Sequence, residues 1–334
     1  MRRVLMRGLL QGSLGAWRFF QKTACPFGGF CFDGRDRLSV DGAPMKLTRR
    51  SAINTAASLA AASLSHRLGA ADAAGGLRGR INHSVCKWCY PKVSLEDLAV
   101  AGKAMGLQSI ELLGPGEWDV VKKHGLTCAI TSNPVKNGLG GITKGFNRPE
   151  HHDTLVAAYE EWIPLAAKAG LKNVICFSGN RAGMDDATGL KHCAAGLKRL
   201  MTLCERNKVT LVMELLNSRV DHADYMCDKS AWGVALCREI GSESFKLLYD
   251  IYHMQIMEGD VIATIRKQNS FFAHYHTGGV PGRHEIDETQ ELNYPAILKA
   301  IADTGYKGFV AQEFIPARPD ALGSLKQAVR LCDV

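Results

Sequence analysis

The sequence lacks an apolar run long enough to cross a bilayer, a second partner for its one CxxC pair, and a charge surplus in its main part. The longest mildly apolar stretch near the front, residues 52–64, is short and rich in Ala and Ser, which excludes a stable membrane span. Cys86 and Cys89 form the lone CxxC, whereas a structural zinc site needs four ligands, so both read as small apolar residues at a strand end. Of the 11 cysteines, nine follow residue 80, irregularly spaced; an odd number without a pattern implies no disulfide framework. The formal charge of +8 suggests a polyanion partner only until it is divided. Residues 1–80 hold 13 Lys/Arg against 4 Asp/Glu, a balance of +9, and residues 81–334 hold 28 against 29, a balance of −1. The basic character belongs to the leader, and the body is left without a reason to bind nucleic acid.

What stands at the front is an address. From Met45 the chain reads MKLTRRSAINTAASLAAASLSHRLGAADAAGG, with Arg49 and Arg50 ahead of the apolar run and Ala71-Asp72-Ala73 behind it as an A-x-A cleavage site. That order predicts a twin-arginine signal segment over residues 45–73. It implies the twin-arginine export machinery as a partner and a periplasmic or otherwise exported location. The plain alternative is an Ala-rich tail that happens to hold two arginines, in which case the protein is cytoplasmic. Residues 1–44 match neither signal nor body and read as a disordered extension, with Met45 a candidate start.

From residue 81 a short apolar run, a loop and a helix-like stretch alternate. The runs are INHSVC (81–86), QSIELL (108–113), LTCAIT (126–131), NVICFS (173–178), VTLVMEL (209–215), FKLLYDI (245–251), FFAHYH (271–276) and GFVAQEF (308–314). Most are apolar throughout rather than alternating, as parallel strands covered on both faces should be. Stretches such as SLEDLAVAGKAMG between them have helical spacing, and Gly106, Gly125, Gly170 and Gly305 suit helix C-caps just before a strand. Eight such units predict a (β/α)8 TIM barrel, α/β in class, as one catalytic domain over residues 74–334. A doubly wound open sheet is the alternative; it usually shows a glycine-rich loop after its first strand, and INHSVCKWCYPKV has none.

Chemistry in a barrel gathers at the C-terminal ends of strands. There the last four runs offer Glu214, Asp250, His276 and Glu313 at one level. Charged groups in apolar runs are costly to bury unless paired or bound to a cation. Three carboxylates and one imidazole suit a divalent ion such as Mg²⁺ or Mn²⁺ better than a zinc-only site.

The segments VMELLN, LLYDIYHMQ, HYHTGGVPGRHEIDETQELNY and FVAQEF resemble hydroxypyruvate isomerase and its sugar isomerase/epimerase relatives in the xylose isomerase-like barrel superfamily. The resemblance covers essentially all of residues 81–334 and is most specific in VPGRHE with its downstream ELNY. It implies a divalent metal held by Glu214, Asp250, His276 and Glu313, with the two glutamates flanking the substrate carbon and moving the proton. One departure is His276, where hydroxypyruvate isomerases often have Gln and ketose epimerases commonly His.

The implied chemistry suits these side chains. An α-hydroxy carbonyl compound can chelate a divalent cation, and a glutamate can then take the acidified C–H proton and return it. Return to the neighbouring carbon isomerises, return to the other face epimerises, and expulsion of a β-hydroxyl gives a dehydratase or lyase. The loop HYHTGGVPGRHEIDETQELNY leaves the seventh run just past His276, so it can close over a substrate. In it Arg283 is the candidate grip for a substrate carboxylate or hydroxyl; the plain alternative is a surface ion pair with Glu285 or Asp287. His284 and Glu285 are candidate supports, and Glu291 a candidate loop anchor. His253, Glu111 and Trp88 join Arg283 as candidate substrate contacts, each with a structural alternative: a hydrogen-bonded His, a helix cap or ligand-orienting carboxylate, and a packing Trp. His83 and Arg181 are weaker candidates.

Together these features predict an isomerase of a small hydroxy-carbonyl compound, hydroxypyruvate to tartronate semialdehyde in type, with a sugar epimerase or dehydratase of the same fold as rivals. A DNA-repair endonuclease would need more His ligands and a basic groove, and a binding-only protein would need no pair of glutamates. Monomer and homo-oligomer are both left open.

Overall fold

The computed structural model describes residues 76–334; the expected extension over 1–44 and signal over 45–73 lie outside the described residues. Seven strands form one parallel sheet: β1 (Asn82–Cys86), β2 (Ser109–Glu111), β3 (Asn173–Cys176), β4 (Thr210–Glu214), β5 (Phe245–Asp250), β6 (Phe272–Thr277) and β7 (Phe309–Gln312). Their order is β2-β1-β7-β6-β5-β4-β3, so the first strand pairs with the last and the sheet curls round on itself. The gap between β2 and β3 is filled by the expected third strand, residues 126–131, in irregular form. Thr127 bridges Ser109, and Thr131 bridges both Leu113 and Val174.

That stave is not a regular strand because side chains take its backbone groups. The Ser109 hydroxyl accepts the Ala129 N–H at 2.8 Å, and the Asn173 amide donates to the Ala129 carbonyl at 3.0 Å. The polar groups are satisfied while the ladder is interrupted, and the barrel keeps eight positions round its wall.

Helices return the chain between strands, among them α1 (Leu95–Met105). Its start is capped by Ser94, whose side chain accepts the Asp97 N–H, and its end by Gly106 in the left-handed region at φ 94°, a conformation that favours glycine. Gly125, Gly170 and Gly305 share that region. Among the described residues no helix is long and apolar enough to cross a membrane. All nine cysteines of the body are free and buried.

The register sets up one end of the barrel. Glu214 pairs with Leu248, Asp250 with His276, and His276 with Ala311. Residues two apart on a strand share a face. Asp250, two beyond Leu248, and Glu313, two beyond Ala311, therefore point inward with Glu214 and His276, staggered as tilted barrel strands require.

Candidate active site

Glu214, Asp250, His276 and Glu313 meet inside the C-terminal mouth. One ligand-competent atom from each lies within 4.8 Å of all the others, and all four residues are buried. From His276 Nδ1 the distances are 2.8 Å to Glu313 Oε2, 3.4 Å to Glu214 Oε1 and 4.0 Å to Asp250 Oδ2. Asp250 ends β5 and its other oxygen caps the next helix by accepting the His253 N–H at 3.0 Å.

Electrostatics inside the cluster is uneven. Burial, then the neighbouring Glu313, pushes the Glu214 carboxyl up. Burial acts the same way on Glu313, but His276 and Arg283 outweigh it and hold that carboxyl well below its ordinary range. Asp250 is pushed well up by burial, with Arg283 opposing. Burial would lower His276, yet Cys86, Glu313 and Glu111 raise it well above ordinary imidazole; since burial keeps Cys86 a neutral thiol, the carboxylates do the holding.

The cluster fits a divalent cation on its own chemistry. Glu214 Oε1 and Asp250 Oδ2 are buried without a hydrogen-bond partner among the described residues. Unpaired buried acceptors are costly, and three carboxylate side chains around one imidazole match a hard or borderline ion.

Arg283 supplies positive charge to this cage. Its guanidinium lies 2.6 Å from Glu313 Oε2 and 3.5 Å from Asp250 Oδ2. It is stacked between Trp88 and Tyr252, at 5.2 and 5.3 Å from the ring centroids. A surface pair with Glu285 or Asp287 is not what it makes. Its backbone is held at φ 58°, a strained value for a non-glycine residue. The turn around it closes through Arg283 N–H to the Gly279 carbonyl and Gly279 N–H to the His284 carbonyl. A Cβ on Gly279 would stand 2.3 Å from the Glu285 carbonyl, so only glycine fits there.

The other loop residues are supports. Glu285 accepts from Ser324 Oγ and from the Ala317 and Arg318 N–H groups, tying the turn to the segment after β7. His284 bonds the Ile315 carbonyl. Glu291 anchors the loop through its N–H to the Val280 carbonyl and through Gln255.

A cavity of about 320 Å³ opens onto the cluster, walled in part by Trp88, Leu112, Ile175, Phe177, Leu216 and His222, with Glu214, Glu313 and Arg283 at one end. Trp88 is on this wall and donates its indole N–H to Glu313 Oε1 at 2.9 Å. Two expected substrate contacts sit elsewhere. Glu111 is wholly buried behind His276, bonded to its Nε2 at 2.8 Å. His253 is also wholly buried and off the cavity wall; its Nδ1 accepts the Asn217 N–H at 3.1 Å, and its Nε2 lies 3.7 Å from Asp250 Oδ2. The weaker candidates do not line the cavity: His83 faces Asp333, and Arg181 binds Asp228 and Asp186. Cys86, read as a plain apolar residue, lies 3.7 Å from both His276 Nε2 and Glu111 Oε1. Sequence reasoning missed His222, Ser132 and Asn133, which come from loops without a spacing signal. It also missed His274, which the alternation in HYH places on the same inner face as His276.

The body has known relatives. A family model described as a xylose isomerase-like TIM barrel matches residues 118–332. The 2-oxo-tetronate isomerase of Cupriavidus necator is 36% identical over 115 residues, 34% of this chain and 44% of that protein. The putative hydroxypyruvate isomerase of Homo sapiens is 34% identical over 247 residues, 69% of this chain and 87% of that protein. The chain thus spans less than half the length of the first relative and most of the second. Among solved structures, AP endonuclease, family 2, from Brucella melitensis superposes with a TM-score of 0.66 at 24% identity, covering 73% of this chain and 97% of that one. The 3-keto-D-glucoside 4-epimerase from E. coli superposes at 0.64 with 16% identity, covering 75% and 98%. At those identities the two structures speak for the shared fold. With the family match over most of the barrel and a curated relative aligned along most of its length, the chain belongs to the xylose isomerase-like TIM barrel family.

Proposed function

We propose that this protein is a metal-dependent isomerase of a small α-hydroxy carbonyl compound, of the hydroxypyruvate isomerase type, exported by the twin-arginine route. The observation that carries the reading is the pair Glu214 and Glu313, set in one buried cluster with Asp250 and His276 and open to a cavity. Relatives named hydroxypyruvate isomerase and 2-oxo-tetronate isomerase support the reaction class.

Glu214, Asp250, His276 and Glu313 would hold Mg²⁺ or Mn²⁺, which when bound polarises the substrate's carbonyl and hydroxyl oxygens and acidifies the adjacent C–H. The rest falls to the chain's own groups. One glutamate takes the carbon-bound proton, and the same or the opposite glutamate returns it to the neighbouring carbon. The proton of the substrate hydroxyl passes meanwhile to the former carbonyl oxygen, so that the two carbons exchange oxidation level with no net change. Arg283, stacked and hydrogen-bonded, is preorganised to receive a substrate oxygen. Trp88 and Phe177 give the cavity an apolar wall against which the carbon skeleton of a substrate can lie.

A second reading, a ketose epimerase, is favoured by the cavity. Its volume of about 320 Å³ lies at the lower end of the range of small-molecule sites, room for a substrate larger than a three-carbon acid. A nuclease of the same barrel has no such support, because the body's charge balance is −1.

Proton–deuterium exchange decides. Residues 74–334 with Mn²⁺ in D₂O, given hydroxypyruvate or a ketose, should place deuterium on the carbon next to the carbonyl. Glu214→Gln and Glu313→Gln should each abolish it. No exchange with either substrate class, with Mn²⁺ bound, would refute proton-transfer chemistry at this site.

A further inference from the structure

Behind His276 the barrel interior is polar where an apolar core would serve packing better. Glu111, wholly buried, receives three nitrogen and oxygen donors, with the Cys86 thiol as a weaker fourth at 3.7 Å. Its Oε1 lies 2.8 Å from His274 Nε2 and 2.8 Å from His276 Nε2, and its Oε2 accepts the Ser84 hydroxyl at 2.6 Å. The two imidazoles stand edge to face, with centroids 5.1 Å apart and planes at 84°. A buried carboxylate is costly even when paired, and nothing in the proton transfer proposed above calls for this one.

We propose that Glu111, steadied by His274 and Ser84, is the positioning residue that prepares His276 to bind a cation. The proposal rests on the reading that His276 belongs to a cation site. The argument is one of donors and acceptors. A carboxylate oxygen at 2.8 Å can only accept, so His276 Nε2 must carry its hydrogen. Nδ1 is the nitrogen that faces Glu313, Glu214 and Asp250. Without a cation it too points a hydrogen at Glu313, and a cation bound among those carboxylates would take that hydrogen's place while Nε2 stays committed to Glu111. A His ligand that donates its other N–H to a carboxylate is fixed in tautomer and ring orientation and is a stronger donor to the cation. His274 completes the device. By occupying the other side of Glu111 Oε1 it keeps the carboxylate from rotating away, and its own lack of access to the cavity excludes it from substrate contact.

The alternative is a satisfied polar network that only holds the barrel together, and affinity for the cation separates the two. Glu111→Gln is nearly isosteric, but an amide that turns its NH₂ toward Nε2 demands the opposite tautomer. Mn²⁺ binding should be followed by the electron paramagnetic resonance signal of the free ion, and Co²⁺ binding by its visible absorption. Glu111→Gln should weaken Mn²⁺ about 10- to 100-fold and alter the Co²⁺ spectrum, while turnover recovers toward the parent value at saturating Mn²⁺. His274→Gln should shift Mn²⁺ affinity in the same direction by less, and it carries the test if Glu111→Gln fails to fold. A folded Glu111→Gln, or failing that His274→Gln, that binds Mn²⁺ within twofold of the parent would overturn the positioning role while leaving the cation site standing. A parent that binds neither ion would overturn the cation reading itself, and the positioning role with it.

Discussion

Replacing Arg283 by Met tests whether the guanidinium serves as an internal counter-ion. Its side chain is 12% exposed and contacts Glu313 at 2.6 Å and Asp250 at 3.5 Å. Removing one partner from a buried ion pair costs roughly 3–5 kcal/mol, because the charge left behind stays uncompensated. Burial already favours the neutral form of Asp250, which absorbs part of that cost, so the low end, about 3 kcal/mol, is expected. Met retains most of the stem volume, so lost packing against Trp88 and Tyr252 stays secondary. At roughly 2–4 °C per kcal/mol for a domain of this size, melting should fall by roughly 6 to 12 °C in EDTA. Excess Mn²⁺ brings two positive charges to the same carboxylates and stabilises by linkage, so the gap between parent and variant should close to under about 1 kcal/mol. The assay is thermal melting by circular dichroism, in EDTA and in Mn²⁺. A loss of equal size in both conditions would show that stacking, not charge, holds Arg283 in place. A variant as stable as the parent in EDTA would refute the counter-ion argument outright.

How much of this was legible depended on the physical carrier of each feature. Strand positions followed from apolar runs, because every regular strand is covered on both faces. Glu214, Asp250, His276 and Glu313 were visible because each interrupts such a run near its end. Which carboxylates reach the cavity is set by the stagger between neighbouring strands, a property of closure and not of any one segment. Glu111 sits near the end of its run as Glu214 does, yet it lies behind His276 and bonds two imidazoles. The third run failed as a strand for another reason. Capture of Ala129 by Ser109 and Asn173 is a side-chain event that hydropathy does not encode. His222 and Asn133 enter the wall from loops, whose course is decided by tertiary contacts.

Two further outcomes are expected. Arg49→Lys with Arg50→Lys should leave the full-length chain in the cytoplasm of a host with twin-arginine export while the parent is exported; cell fractionation reads the result, and equal export of both would refute the signal. Glu285→Ala should cost about 2 kcal/mol at neutral pH, since a carboxylate accepting two backbone N–H groups and the Ser324 hydroxyl is lost. Burial opposes its ionisation, but those hydrogen bonds win and hold its folded pKa below the ordinary 4.5. A depressed carboxyl contributes stability above its unfolded pKa and loses it as pH falls through the folded value. The difference between parent and variant in urea midpoint should therefore be full at pH 7 and shrink only below the ordinary glutamate range. A difference that stays constant into acid would mean that Glu285 holds the turn by shape, and that the Arg283 segment owes nothing to its charge.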